Sequence, residues 1–205
     1  MNITDLGGHS GCKILLCEKS NNEVFVRKIS SDTNYNRRLM CQADKQSAYS
    51  NPNIKAPKVL QTGYTDQGLF YFDMEYVQGI TMAEYIRTIE IGKVRSICES
   101  IVTNIVRIDS NDSDVDENAF ADKITSLKKK LQTENNPIVS EAIELLNRHS
   151  WKRFIKTQCH GDLTLENIIV KDNQLYLIDF LDSFYDCWIM DMSTIMQDVQ
   201  TMWSY

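Results

Sequence analysis

The 205-residue sequence predicts an α+β protein of two lobes, with a small antiparallel sheet and one helix in the first lobe and mainly helices in the second. Three observations support this fold class. β-rich runs dominate the first part of the chain, hydrophobic residues recur at helical spacing after Gly79, and a second hairpin pattern follows near the carboxyl end. We therefore divide the chain into an N-terminal lobe, residues 1–77, and a short helical C-terminal lobe, residues 78–205, with a ligand cleft expected between them.

The N-terminal sheet is predicted from β-branched and apolar runs. Its strands are expected at residues 13–19, 23–29, 58–64 and 69–76. Ser20-Asn21-Asn22 separates the first two runs and is typical of a hairpin turn, and Gly68 marks the turn between the last two. Residues 33–50 contain no Gly, no Pro and no β-branched run, which indicates a polar helix.

Apolar stripes predict the helices of the C-terminal lobe. They consist of Val94, Ile97, Ile101, Ile105 and Ile108; of Phe120, Ile124, Leu127 and Leu131; and of Ile138, Ala142, Leu145 and Leu146. Pro137 suits the start of the third helix. The acidic residues 109–118 are interpreted as a solvated loop, with attraction of a cationic acceptor as the alternative. Residues 190–203 predict a last, packed helix and not a membrane anchor.

Composition and charge disfavour several classes of protein. The chain carries 22 basic and 28 acidic residues, a formal net charge of −6, which argues against nucleic acid as a partner. No run approaches the roughly 18 apolar residues of a membrane span, and the start, MNITDLGGHSG, lacks the layout of a secretory signal. The six cysteines are scattered without a C-x-x-C pair, which is typical of reduced thiols, so we expect a cytoplasmic protein.

The most informative motif lies in CHGDLTLENIIV (residues 159–170) and LYLIDFLD (residues 175–182). Asp162 and Asn167 precede one strand of a predicted hairpin, and Asp179 ends the other strand. Because a hairpin brings its open ends together, we expect these side chains to converge. Two carboxylates and an amide oxygen suit Mg²⁺, which shares its remaining ligand positions with phosphate oxygens. The pattern therefore predicts phosphoryl transfer, in which one carboxylate orients the attacking hydroxyl.

A structural interpretation competes with this one. Any single acid of the motif could cap backbone groups of a turn, and for one acid alone the two interpretations are equally good. The three residues together, with D-x-x-x-x-N spacing and on related hairpin positions, favour a site. We interpret His160 as a hydrogen-bonding residue that holds the loop and not as the proton acceptor.

The N-terminal lobe contains a matching half-site. Residues 7–11, Gly-Gly-His-Ser-Gly, precede the first strand, where glycine permits close approach of backbone N–H groups to phosphate oxygens. Lys28 lies near the end of the second strand, with Val26 two positions earlier on the same face. A flexible turn and a solvent-facing lysine explain each feature alone. Their order along the chain favours a nucleotide-binding cradle.

With these motifs the chain resembles the aminoglycoside phosphotransferase and choline kinase family, which has a protein-kinase-like fold. The likeness extends over nearly the whole sequence, and HGDLTLEN with LIDFLD is its most specific part. The resemblance implies that Asp162 is the catalytic base and that Asn167 and Asp179 hold Mg²⁺. It also implies that Lys28 holds the α- and β-phosphates of ATP or GTP as phosphoryl donor.

The remaining nucleotide contacts follow from the same resemblance. Gly8, His9, Ser10 and Gly11 would cover the phosphates. FDMEYVQG resembles the segment that joins the lobes, so the backbone of Glu75, Tyr76 and Val77 would meet the base, with Val26 packed against it. Asp191 would tie the helical lobe together in a structural role.

The sequence departs from the family pattern in two ways. Related kinases pair the strand lysine with a helix glutamate, but residues 29–74 contain no Glu, so Gln42, Asp44 or Gln46 would have to substitute. Only 23 residues follow Asp182, where relatives carry several more helices. We expect either a minimal family member or a protein partner or further segment that completes the lobe.

The expected function is Mg²⁺-dependent transfer of the γ-phosphate of ATP or GTP to a hydroxyl of a small molecule. The acceptor classes considered are a sugar, a surface-polysaccharide precursor, an aminoglycoside and a choline-like compound. Phe184, Tyr185 and Trp188 could cage a quaternary amine, although core packing explains them better. Two alternatives remain: a small atypical protein kinase or ATPase of a tRNA-modification complex, and a nucleotide-binding pseudokinase that regulates a partner.

Overall fold

The structure is a computed structural model that describes residues 1–7, 11–106, 116–131, 136–151 and 154–204. The first elements are β1 (Asn2–Asp5), β2 (Lys13–Glu18), β3 (Val24–Ile29), α1 (Asn36–Ala48), β4 (Ile54–Lys55), β5 (Val59–Tyr64) and β6 (Phe70–Glu75). They are followed by β7 (Ile80–Thr81), α2 (Met82–Thr88), α3 (Ile91–Ile105), α4 (Glu117–Lys130), α5 (Pro137–Arg148), β8 (Ile168–Lys171), β9 (Gln174–Leu177) and α6 (Trp188–Thr201). The elements form the mixed α+β architecture that the sequence predicts.

The N-terminal sheet has five antiparallel strands in the order β1-β2-β3-β6-β5. Because successive residues of β3 point to opposite faces, Val26 and Lys28 share one face and Arg27 lies on the other. The first face packs on Leu39 and Ala43 of α1. On the second face Arg27 pairs with the buried Asp73 through Nε–Oδ1 at 2.6 Å and Nη2–Oδ2 at 2.8 Å. The sheet therefore presents Lys28 on the side that α1 covers.

A second sheet, in the order β4-β9-β8-β7, supports the predicted hairpin of the C-terminal lobe. β8 and β9 are antiparallel, and Asp172 and Asn173 form their turn with φ of 48° and 62°, the left-handed region that Asp and Asn tolerate. β4 runs parallel to β9. The sheet packs into a core with α2, α3 and α6. The division of lobes at residue 77 stays a prediction, and β4, which precedes it, pairs with the second sheet.

The helices of the C-terminal lobe differ in how deeply their predicted stripes are buried. Ile101 and Ile105 of α3 and Phe120 and Ile124 of α4 lie in the core. The helix predicted from Pro137 is present as α5, but no residue of it is buried, and Ile138 and Leu145 are 74% and 59% exposed, so its stripe does not face the core. The partly buried residues of α5 are Val139, Ile143 and Leu146. Ile108 and most of the acidic loop, residues 109–115, lie outside the described residues.

An aromatic cluster holds α4 against the segment before α6. Phe120 stacks on Trp151 with ring centroids 4.5 Å apart and also contacts Phe154 and Tyr185. Tyr185 is 2% exposed, and Trp188 packs against the same cluster, so both serve the core as expected. Of the helices that the structure describes, none has the length and apolarity needed to cross a membrane.

Candidate active site

The loop that carries Asp162 is anchored by a buried carboxylate of α6. The backbone N–H groups of His160 and Gly161 donate to the two oxygens of Asp191 at 2.7 and 2.8 Å. Burial raises the pKa of Asp191 to about 6, and these two hydrogen bonds act in the opposite direction. Gly161 has a φ of 94°, and a Cβ there would lie 2.4 Å from the carbonyl oxygen of Leu181. Only glycine fits this turn without strain.

A second buried acid of α6 supports the other end of the loop. Asp198, which is 2% exposed, accepts hydrogen bonds from the backbone N–H of Leu165 at 2.7 Å and from Ser204, through its N–H at 2.9 Å and its hydroxyl at 2.8 Å. Asp198 lies outside the motifs that point to a site in the sequence. A signal was available, because Asp198 follows Asp191 by seven residues, which is two helical turns and hence the same face of α6.

The buried side chain of His160 connects the loop that carries Asp162 to the residue after β9 through hydrogen bonds. Its side chain is wholly buried, and burial lowers the pKa of His160 to about 4, so the ring is neutral at pH 7. Nε2 lies 2.6 Å from the carbonyl oxygen of Ile178, an acceptor, so the proton is on Nε2. Nδ1 is then the acceptor for the backbone N–H of Asp162 at 3.3 Å. The ring thus bridges the Asp162 loop to the end of β9, in agreement with the interpretation from the sequence.

The three residues predicted to form the site, Asp162, Asn167 and Asp179, converge at the open end of the hairpin. The Asn167 amide nitrogen donates to the carbonyl oxygen of Asp162 at 2.8 Å, and the N–H of Ile178, next to Asp179, donates to the carbonyl oxygen of Asn167 at 3.0 Å. Burial, followed by the negative charges of Asp179 and Asp198, raises the pKa of the Asp162 carboxyl above its ordinary value. Through the hydrogen bonds of Asn167, the segments that carry Asp162 and Asp179 therefore meet at this end of the hairpin.

The side-chain oxygens of Asn167 and Asp179 are suitable ligands for a hard divalent cation. Asn167 uses its amide nitrogen within the loop, so its Oδ1 is the atom that could ligate a metal. Together with the Asp179 carboxylate it would supply oxygen ligands of the kind that Mg²⁺ prefers, with phosphate and water oxygens completing the set. Within the described residues, no group of three or more His, Cys, Asp or Glu side chains is arranged to hold a metal ion. Two protein oxygens therefore suit a metal that is shared with a nucleotide, not an all-protein cage.

Lys28, on β3 of the five-stranded sheet, also lies at this point. Its side chain is 2% exposed, and its ammonium group forms an ion pair with Asp179 and donates to Oε1 of Gln42 at 3.1 Å. Gln42 in turn donates to the hydroxyl of Tyr35 at 3.2 Å. Of the three substitutes considered for the missing glutamate, Gln42 is the one that contacts Lys28. Gln46 donates instead to the carbonyl oxygen of Pro57 at 2.7 Å, while Asp44 is exposed.

The other predicted nucleotide contacts are only partly described. Gly8, His9 and Ser10 lie outside the described residues, and Gly11 has a φ of 72° with open space where a side chain would be. Val26 is buried beside Met74, its partner on β6.

The segment that is predicted to join the lobes begins at the end of β6. The backbone N–H of Glu75 donates to the carbonyl oxygen of Lys58, the residue before β5, at 2.9 Å, so this N–H group already has a partner. Tyr76 is partly exposed, and Val77 is half-buried. Contacts from Glu75, Tyr76 and Val77 to a base remain predictions, with the Glu75 carbonyl and the Val77 backbone as the available groups.

Comparison with known proteins identifies the family. The model of the phosphotransferase enzyme family matches residues 14–204. Among solved structures, the apo form of a thermostable mutant of aminoglycoside phosphotransferase APH(4)-Ia superposes with a TM-score of 0.64 at 12% identity, covering 98% of this chain and 73% of that one. A search of curated proteins finds no match.

Two further structures of thermostable APH(4)-Ia mutants are similar. One is a ternary complex with ADP and hygromycin B, with a TM-score of 0.62 at 11% identity over 96% of this chain and 72% of that one. The other is a ternary complex with AMP-PNP and hygromycin B, with a TM-score of 0.61 at 12% identity over the same shares of the two chains. The predicted kinase-like fold is confirmed. Because the family match spans nearly the whole sequence, the chain belongs to the phosphotransferase enzyme family and is an enzyme that transfers a phosphoryl group to a hydroxyl acceptor.

Proposed function

We propose that this enzyme is a Mg²⁺-dependent kinase that moves the γ-phosphate of ATP to a hydroxyl of a small molecule. The observation that carries the proposal is the convergence of Asp162, Asn167 and Asp179 beneath the ammonium group of Lys28. The adenine nucleotides in two of the similar structures support ATP, with GTP as the alternative donor. Hygromycin B in those structures supports a small-molecule acceptor, of the sugar or aminoglycoside class or among the other acceptors named above.

Each side chain has a distinct role in the proposed reaction. Asp162 accepts the proton of the acceptor hydroxyl, and its raised pKa makes it a better base than an ordinary aspartate. Lys28 binds the α- and β-phosphates. Asn167 and Asp179 hold Mg²⁺, which supplies positive charge against the phosphate oxygens. His160, Asp191 and Asp198 keep the loop in place through backbone hydrogen bonds.

The contact between Lys28 and Gln42 favours an active enzyme over a pseudokinase. The pseudokinase alternative was motivated by the missing glutamate, because a poorly held lysine would not bind phosphate productively. Here Lys28 is buried and has two oxygen partners, Gln42 and Asp179. No contact in the described part of the chain favours the alternative of a tRNA-modification complex.

The test is a screen of acceptors coupled to release of nucleoside diphosphate, preceded by thermal-shift titration with ATP and GTP with and without Mg²⁺. We expect Asp162→Asn to lower turnover by about a thousandfold or more and to change nucleotide affinity by less than about twofold. Asp179→Asn should weaken Mg²⁺-dependent nucleotide binding by about tenfold or more. Asp172→Asn, in the exposed turn of the hairpin, is the matched control and should behave as wild type. Full transfer by both site variants would refute the assignment.

The pH profile tests the proposed base independently. Since the pKa of Asp162 is raised, kcat/KM should fall on the acid side at a pH above the ordinary aspartate value. The residual activity of Asp162→Asn should lack this acid limb. An acid limb that persists unchanged in the variant would assign the proton transfer to another group.

A further inference from the structure

Lys45 belongs to α1 of the N-terminal lobe, but its ammonium group is bonded to the C-terminal lobe. Nζ lies 2.9 Å from the carbonyl oxygen of Leu181, 2.9 Å from Oγ of Ser183 and 2.6 Å from Oδ1 of Asp186. An ammonium group has three protons to donate, so one short segment can use all three. This segment begins two residues after Asp179.

The same ammonium group also faces the chain that precedes Asp162. Sγ of Cys159 is 3.4 Å from Nζ, and a Cβ added to Gly161 would lie 3.1 Å from it. The N–H of Leu181 donates to the carbonyl oxygen of His160 at 3.1 Å, which joins the two segments directly. Lys45 therefore lies where the loop that leads to Asp162 meets the loop that follows Asp179.

Burial of the lysine distinguishes this contact from an ordinary surface ion pair. The Lys45 side chain is 13% exposed, although that of its partner Asp186 is 48% exposed. Arg38, on the same helix, also pairs across to this segment, with Nε 2.7 Å from Oδ1 of Asp182, but its side chain and that of Asp182 are 48% and 41% exposed. Exposed pairs contribute little, whereas removal of a buried donor leaves its acceptors unpaired. Arg38 is thus a natural control for Lys45.

Helix α1 carries a second contact to the site on the same face. Gln42 lies three residues before Lys45, a spacing that places both on one side of a helix, and it binds Lys28. We infer that Lys45 is a positioning residue that fixes Asp162 and Asp179 relative to each other and, through α1, relative to Lys28. Helix α1 contacts the loops of the C-terminal lobe through the charged side chain of Lys45, and it contacts Lys28 through the neutral side chain of Gln42. This inference rests on the proposed function.

The experiment compares Lys45→Met, Lys45→Arg and Arg38→Met by release of ADP from ATP at varied Mg²⁺, with water or an identified acceptor. We expect Lys45→Met to raise the half-saturating Mg²⁺ concentration about tenfold and to lower kcat about thirtyfold, with KM for ATP changed less than about threefold. Lys45→Arg keeps the charge and should recover part of both losses. Arg38→Met should stay within about twofold of wild type.

A purely structural role would reduce the amount of active enzyme without moving the Mg²⁺ requirement. Wild-type values of kcat and Mg²⁺ requirement in Lys45→Met would overturn the inference. If Lys45→Met does not fold, Asp186→Asn and Lys45→Arg serve as the test. A rise of about threefold or more in the Mg²⁺ requirement of either variant supports the inference. Wild-type behaviour of both variants overturns it. If wild-type protein binds no Mg²⁺–nucleotide in a thermal-shift titration, the proposed function itself fails, and this result is distinct from the others.

Discussion

The stretch from Cys159 to Asp182 and the pair of helices α4 and α5 are held in the protein by different kinds of contact. In the first region, two buried carboxylates of α6 and one buried imidazole accept or donate hydrogen bonds to backbone groups of the loop. In the second, an aromatic cluster around Phe120 holds α4, and α5 contacts α4 and has no buried residue. The first region is fixed by directional bonds, whereas the contacts described for the second are mainly aromatic and apolar.

This difference shows where the molecule requires exact geometry. Apolar packing tolerates small displacements, whereas a backbone N–H that points at a buried carboxylate has one acceptable direction. Residues that handle protons and phosphate need the second kind of support, since misplacement by about 1 Å can cost a hundredfold in rate. Substitutions in the two regions should therefore differ in their cost.

The largest loss of stability is expected for Asp198→Ala. Its carboxylate accepts bonds from the N–H of Leu165 and from two groups of Ser204, and removal would leave these buried donors without an acceptor. We expect the free energy of unfolding in urea to fall by about 4 kcal/mol. Asp122→Ala on the exposed face of α4 is the control and should change it by less than about 0.5 kcal/mol. Equal effects of the two variants would contradict the contrast.

The second prediction uses pH. Because burial lowers the pKa of His160 to about 4, the unfolded chain binds more protons than the folded one between about pH 6.5 and 4, and acid therefore destabilises the fold through this group. Asp191, with its pKa raised to about 6, acts with the opposite sign. Comparison of the free energies of unfolding of His160→Gln and wild type isolates the contribution of His160. As the pH falls from about 6.5 to 4, this comparison should change by about 3 kcal/mol in favour of the variant. A difference that is independent of pH would show that the ring is not buried in solution.

The third prediction compares two glycines with positive φ. Gly161→Ala introduces a Cβ 2.4 Å from a carbonyl oxygen, whereas Gly68→Ala, at a φ of 74°, has nothing within 4 Å of the new atom. Both variants carry the backbone strain of about 1 kcal/mol, and the clash should add about 2 kcal/mol at position 161. Thermal unfolding of the two variants measures the difference. Equal losses would mean that the loop can move away from Leu181 without cost.

The smallest effect is expected for Leu145→Ala in α5. This side chain is 59% exposed, so its truncation should cost about 0.5 kcal/mol or less. Leu163, which is wholly buried in the main core, is the matched control, and Leu163→Ala should cost about 2–5 kcal/mol. A loss above about 2 kcal/mol for Leu145→Ala would reveal a surface that covers α5 in solution, which analytical ultracentrifugation would then detect as an oligomer.

The part of the site that was predictable from sequence is the part that depends on local structure. The runs on either side of Asp172 and Asn173 fold back on each other through a turn that these two residues favour, and this places Asn167 and Asp179 at the open end. The helix α1 and the strands beside Lys28 were predictable for the same reason. Each depends on a pattern within one or two neighbouring segments.

The remaining features depend on how distant segments dock. β4 is two residues long and is held by β9, more than one hundred positions later, so no local pattern marks it. Gln42, Asp44 and Gln46 were equivalent candidates until the buried face of α1 was known. The exposure of the apolar stripe of α5 was not predictable, because an amphipathic pattern predicts a helix but not whether another surface covers its apolar side.

The ion pair between Lys28 and Asp179 has a consequence under the proposed function. A divalent ion held by Asp179 would replace the Lys28 ammonium group as the partner of this carboxylate, and nucleotide phosphates would offer Lys28 new partners. By linkage, each of the two ligands then raises the affinity for the other by the same factor. We therefore expect the metal and the nucleotide to bind cooperatively and each of them to bind weakly alone.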